Sequence, residues 1–118
     1  MAKLLDLSGI FPPIPTPFNE DESIAYDKLK ANLSKWEKIP FTGYVVHGSI
    51  GENPFLSADE KVEVVKVVKE SVASGKLIIA GAGCECKLLF FTLICHISSD
   101  ISLHLLFIAS HWSGYFYF

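Results

Sequence analysis

A chain of 118 residues with a formal net charge of −3 holds at most one small domain, and all ten of its basic residues are lysine. That balance argues against nucleic acid or an anionic membrane surface as a partner, and a chain without arginine cannot grip phosphate or carboxylate in two-pronged fashion. Cys84, Cys86 and Cys95 are an odd set of thiols with no secretory signal ahead of them, which points to a reduced, intracellular chain.

The opening MAKLLDLSG lacks the arginine- and serine-rich amphipathic stretch of a mitochondrial leader. SGIFPPIPTPF, residues 8–18, is apolar but carries four prolines. Proline cannot donate to a sheet ladder, so a short strand is expected at about 9–11, ending in an extended loop. The polar cluster 19–23 marks a turn. A helix over 26–38 then places Tyr26, Leu29, Leu33 and Trp36 on one stripe with lysines on the other, Asp27 in its first turn and Pro40 as its stop.

Residues 43–47 read as a short strand, too apolar for one solvated face. The glycine turn GSIGE follows. Ser57 and Glu60 have the spacing of a capping box and open a helix expected to run from Ala58 to about Ser74, with Val64, Val65, Val68 and Val72 on one stripe. Gly75 closes it. LIIA, residues 77–80, is a third strand.

The order strand, helix, strand, helix, strand implies a parallel sheet with crossover helices. The loops after each strand then share one edge, and in parallel α/β folds that edge binds ligands. Thr16, the turn of Gly48, Ser49, Ile50, Gly51 and Glu52, and the loop after residue 80 all fall there. The turn offers backbone N–H groups and the Ser49 hydroxyl to a carboxylate or another anion, although two glycines can equally just turn the chain. His47 at the strand end is read either as a substrate contact or as filler of the sheet's mouth.

The segments GIFPPIPTPF, GYVVHGSIGENPFLSADEK and LIIAGAGCE resemble the dihydrodipicolinate synthase / N-acetylneuraminate lyase family, and most of all its animal 4-hydroxy-2-oxoglutarate aldolases. The resemblance covers roughly residues 7–85. It implies an α/β fold that is part of a (β/α)8 barrel, and a class I aldolase that joins a lysine to the ketone of a 2-oxo acid as a Schiff base. It also implies a catalytic tyrosine, no metal or organic cofactor, a pyruvate-like small 2-oxo acid as ligand, and tetrameric, mitochondrial relatives. The absent leader leaves the cytoplasm open as a location.

By the same resemblance Ser49 takes the place of a proton-relaying hydroxyl. Ile50 stands where the family has threonine or asparagine against the substrate carboxylate, so both are expected at the substrate. Thr16, Gly48, Gly51 and Glu52 are expected to support them from behind. A whole barrel needs about 250 residues, and only three of its eight βα units match here. The family's Schiff-base lysine and tyrosine come from the fifth and sixth strands, beyond the match. Lys76 opens a strand at the wrong end, and Lys61, Lys66 and Lys69 lie on a helix expected to face partly outward. No catalytic residue is therefore assigned.

Two other motifs carry little. Gly81-Ala-Gly83 begins like a dinucleotide fingerprint but lacks its third glycine and lies on the third strand. Cys84, Cys86, Cys95, His96, His104 and His111 match no usual zinc spacing, so no metal is expected.

Near residue 86 the sequence changes character. Residues 88–118 hold one charge, Asp100, and eight of the fifteen aromatics. We divide the chain into 1–86, the barrel-like part, and 87–118, an apolar tail unlike the family. Residues 88–109 are long enough to cross a bilayer, but the polar centre His96-Ile-Ser-Ser-Asp100 disfavours it. The tail also fits read-through of non-coding sequence or a frame change. The chain then reads as an inactive aldolase fragment, with a non-catalytic interaction or membrane-associated product as the alternative.

Overall fold

The computed structural model describes residues 6–81 and the strand Leu105–Ile108. Its elements are α1 (Tyr26–Trp36), β1 (Gly43–Val46), a single 3-10 turn (Asn53–Phe55), α2 (Ala58–Ser71), β2 (Leu77–Gly81) and β3 (Leu105–Ile108). The three strands form one parallel sheet in the order β1-β2-β3.

The expected strand at 9–11 is instead an extended segment displaced toward the prolines. Thr42 N–H donates to the Ile10 carbonyl and Val45 N–H to the Pro12 carbonyl, both at 3.0 Å, and Ile14 N–H donates to the Val45 carbonyl at 3.0 Å. Pro13 sits opposite Val45 in an isolated parallel bridge. Proline is tolerated because neither position is asked to donate: Pro12 gives only its carbonyl, and Pro13 turns its missing N–H away from β1.

In α1, Leu29 and Leu33 are fully buried while Tyr26 and Trp36 are half-buried on the same stripe. The helix stops at Trp36 rather than at residue 38. The N–H of Lys38 bonds the carbonyl of Lys35 and that of Ile39 the carbonyl of Trp36, a tightened last turn ahead of Pro40. The β1 strand ends at Val46, one residue short of the expectation, because His47 takes a left-handed φ of 61°.

The capping box at α2 is present as read. Ser57 N–H donates to Glu60 Oε2 at 2.8 Å and Glu60 N–H to Ser57 Oγ at 3.3 Å. The helix ends at Ser71, three residues before the expected Ser74. Val72 is already extended, and the Ser71 hydroxyl donates to the Val67 carbonyl at 2.6 Å, a local bond that competes with helix continuation.

The sheet pairs Gly43 with Leu77 through Val46 with Ala80. Gly43 is required there, since a Cβ would run into the Leu77 carbonyl. Side chains on one sheet face, Tyr44, Val46, Ile78 and Ala80, pack with Leu29 and Leu33 of α1 and Val64, Val65 and Val68 of α2. At the edge where β1 and β2 begin, the Tyr44 hydroxyl donates to Glu37 Oε1 at 2.6 Å and Ala73 N–H to Glu37 Oε2 at 2.9 Å. Lys76 lies 3.8 Å from the same carboxylate and donates to the Phe41 carbonyl. Burial alone would raise the Glu37 carboxyl, but these donors outweigh it and hold it below its usual range.

Ile78 through Gly81 pair with Leu105 through Ile108, so four residues of the apolar tail continue the sheet. They are strand, so the candidate bilayer span over 88–109 is not one uninterrupted helix. Among the described residues no helix is long and apolar enough to cross a membrane. The rest of that span, the loop from Ala82 onward, and the cysteines with His96, His104 and His111 lie outside the described residues.

Candidate functional site

The GSIGE turn leaves β1 at the edge where the strands end. His47 swings the chain into the left-handed region, the Gly51 N–H returns to the Gly48 carbonyl at 3.0 Å, and Glu52 N–H returns to Ser49 at 3.2 Å. Glu52, itself left-handed with φ 56°, leads into Asn53–Phe55. These bonds close the base of the turn. The N–H groups of Ser49 and Ile50 take no partner among the described residues and sit at an exposed tip, with Ile50 56% exposed.

Thr16 reaches the turn from the first extended segment. Its hydroxyl, buried, donates to the Gly51 carbonyl at 2.8 Å. A buried carbonyl is thereby satisfied, and two segments 35 residues apart are fixed to each other. Gly51 is buried, and a Cβ there would stand 3.1 Å from the His47 backbone N; at Gly81 a Cβ would strike the His47 carbonyl. Both glycines let the ends of β1 and β2 approach the turn closely.

His47 is 2% exposed, and its Nε2 lies 2.8 Å from the Lys61 carbonyl. A carbonyl only accepts, so Nε2 carries the hydrogen and Nδ1 is the bare nitrogen, buried and without a partner. Burial pushes the imidazole from its ordinary 6.5 down to about 4; the Lys61 carbonyl works against that shift and the Lys61 ammonium adds to it. His47 is therefore neutral at physiological pH and anchors the turn to α2.

The structure thus gathers Thr16, Gly48, Ser49, Ile50 and Gly51 into one turn, with the Glu52 side chain exposed beside it. Lys61 is a correction: it is buried at 6% exposure, on the stripe that continues to Val64, Val65 and Val68. Lys66 and Lys69 are half-buried. The i, i+3, i+4 spacing of Lys61 with Val64 and Val65 carried that information in the sequence. The role of His47 as an anchor had no such signal, since its partner is a backbone carbonyl. Among the described residues no cluster of histidine, cysteine and carboxylate groups could hold a metal ion.

A parallel sheet backed by helices, with a glycine turn at the strands' C-terminal edge, has the layout of a βα-barrel segment, a fold whose ligands bind at that edge. Residues 6–87 match the dihydrodipicolinate synthetase family, and the chain belongs to that family. It is 39% identical over 79 residues to the 4-hydroxy-tetrahydrodipicolinate synthase of Haloarcula marismortui, covering 67% of this chain and 26% of that protein. The Methanocaldococcus jannaschii synthase is 36% identical over 78 residues, covering 66% and 27%. The chain spans about a quarter of the length of these relatives.

Among solved structures, a dihydrodipicolinate synthase from Bacillus anthracis superposes with a TM-score of 0.72 at 26% identity, covering 81% of this chain and 33% of that one. The 4-hydroxy-tetrahydrodipicolinate synthase of Methylacidiphilum fumariolicum SolV gives 0.79 at 24%, covering 91% and 35%. Proteus mirabilis N-acetylneuraminate lyase gives 0.77 at 22%, covering 85% and 34%, a likeness of fold. The fold is a partial (β/α)8 barrel.

Proposed function

We propose that residues 6–81 form one wall of the active site of a class I 2-oxo-acid aldolase, the wall that receives the substrate carboxylate. The observation that carries this reading is the exposed Ser49–Ile50 tip, whose two N–H groups, without a partner among the described residues, and one hydroxyl stand on a base pinned by Thr16. Oriented N–H groups of that kind suit a carboxylate. Family membership supplies the reaction class. For the whole protein we propose the cleavage of 4-hydroxy-2-oxoglutarate to pyruvate and glyoxylate, in keeping with the resemblance to the animal enzymes, and a tetrameric assembly.

In such a site Ser49 would pass a proton through its hydroxyl, and Ile50 would hold the carboxylate by its N–H alone. Thr16, Gly48, Gly51 and Glu52 would keep the tip in shape. By the resemblance the lysine that would form the imine belongs to a later strand than the residues matched to the family, and Lys61 is a buried residue of α2. The 118-residue chain is accordingly proposed to bind weakly and not to turn over.

Amide NMR with added pyruvate tests the wall. Shifts confined to the amides of residues 48–52 are expected, and Ile50→Thr should tighten binding about five-fold by adding one hydrogen bond of roughly 1 kcal/mol. Saturating pyruvate that leaves those amides unmoved in both proteins would overturn the reading.

A further inference from the structure

The two faces of the sheet are covered in different ways. Tyr44, Val46, Ile78 and Ala80 point to one face and pack with α1 and α2. Strand side chains alternate, so Val45, Leu77 and Ile79 point to the other, inner face. Leu77 and Ile79 stand outside the cluster formed with the helices, yet they are only 6% and 7% exposed. Neighbours in a sheet flank a side chain without roofing it, so a second layer must lie over this face. The Phe11 ring sits beside Gly43, the register partner of Leu77, and shelters that end. Ile79 lies two residues further along β2, and α1 and α2 are on the wrong side to reach it.

The burial arises within a single chain, and its gradient gives the direction of the cover. Along one row of the sheet, Ile79 on β2 is buried, Val45 on β1 is half-buried and Pro13 on the first extended segment is exposed. Val45 and Ile79 each have an extended neighbour on both sides, so their difference is not an edge effect. The cover therefore comes from the β3 side. Residues 1–5 adjoin the first segment, at the opposite edge, and would shelter Pro13 first. Residues 82–104 join β2 to β3, its parallel neighbour. Connections of that kind are right-handed almost without exception, and α2 makes the preceding step, from β1 to β2. Two steps of one hand in one direction pass over one face, here the face of α1 and α2.

Residues 109–118 remain. They follow β3 directly and hold five aromatic residues, Trp112, Tyr115, Phe116, Tyr117 and Phe118, with no lysine, aspartate or glutamate. Ile108 pairs with Gly81, so Ile79 lies about 8 Å from the end of β3, one strand spacing across and two residues back. Ten extended residues span up to roughly 33 Å, enough to pass over Ile79.

We propose that residues 109–118 fold back over the inner face of the sheet and cover Ile79, their aromatic rings taking the place that the interior of a closed barrel would fill. The proposal rests on the fold and not on the aldolase reading. Nuclear Overhauser contacts in the full chain test it, with Ile79→Val to assign the signals. The Ile79 methyls should contact rings of residues 112–118. A mixture of chains labelled only at isoleucine with chains labelled only at aromatic residues should lose those contacts, because they lie within one chain.

A second measurement needs no assignment. In Trp36→Phe the only indole is Trp112, and acrylamide should quench it roughly five-fold more slowly than in the same chain unfolded by urea. Ile79 methyls without a contact to residues 112–118, contacts that persist between chains in the mixed sample, or a Trp112 quenched as fast as in urea would each overturn the proposal.

Discussion

His47 makes a prediction whose size follows from its surroundings. The ring is 2% exposed, donates through Nε2 to the Lys61 carbonyl, and leaves Nδ1 without an acceptor for a second proton. The folded protein therefore resists protonation down to about pH 4, whereas the unfolded chain takes the proton near 6.5. Above 6.5 both states are neutral at this site and no stability depends on it. As pH falls from 6.5 to about 4, only the unfolded state gains the proton, so stability is lost across that window and levels off below it. At about 1.4 kcal/mol per pH unit, the gap amounts to about 3 kcal/mol.

Urea unfolding followed by circular dichroism at several pH values between 7 and 4 should show that loss in the wild type. Carboxylates titrate in the lower part of the same range, so the comparison is with His47→Gln, which keeps a donor for the Lys61 carbonyl but cannot titrate. The difference in unfolding free energy between the two proteins should shift by about 3 kcal/mol in favour of the variant as pH drops. Parallel pH profiles for wild type and variant would refute the view of His47 as a buried neutral anchor.

Two further perturbations address the same frame. Thr16→Val removes the donor to the buried Gly51 carbonyl and should cost about 1–2 kcal/mol, with faster hydrogen exchange in the turn, whereas Thr16→Ser should stay near wild type. Glu37→Ala strips the fully buried Tyr44 hydroxyl of its acceptor and should cost about 2–3 kcal/mol in thermal unfolding; Tyr44→Phe added to it should recover part of the loss, because the orphaned hydroxyl is then gone. The Glu37 carboxyl is held below its usual 4.5, so the stability it contributes is present above that pH and fades as pH falls through the lower folded value.

Much of this arrangement was written locally in the chain. The capping box at Ser57 and Glu60 and the stripes Leu29–Leu33 and Val64–Val65–Val68 are spacing rules, and each appears as read. The GSIGE turn lies at the strand's end for the same reason: an apolar run followed by two glycines has few other solutions. The first extended segment was harder. Its prolines limit the expected strand to about 9–11, but only every second residue faces β1, and a carbonyl suffices at Pro12.

What the sequence could not display were contacts set by the meeting of distant segments. The bond from Thr16 to Gly51, the anchor from His47 to the Lys61 carbonyl and the Glu37 clamp on Tyr44, Ala73 and Lys76 leave no periodic trace. The place of residues 105–108 in the sheet was hidden for another reason: an apolar run inside an apolar tail fits a strand and a bilayer span equally well.

In the proposed role this chain carries the carboxylate wall of an aldolase site without the amine that performs the chemistry. Incubation of the purified chain with pyruvate and borohydride, read by intact mass, tests it most directly. An unmodified mass is expected. A stoichiometric reduced adduct, mapped to Lys61 or to any other lysine of these 118 residues, would contradict it.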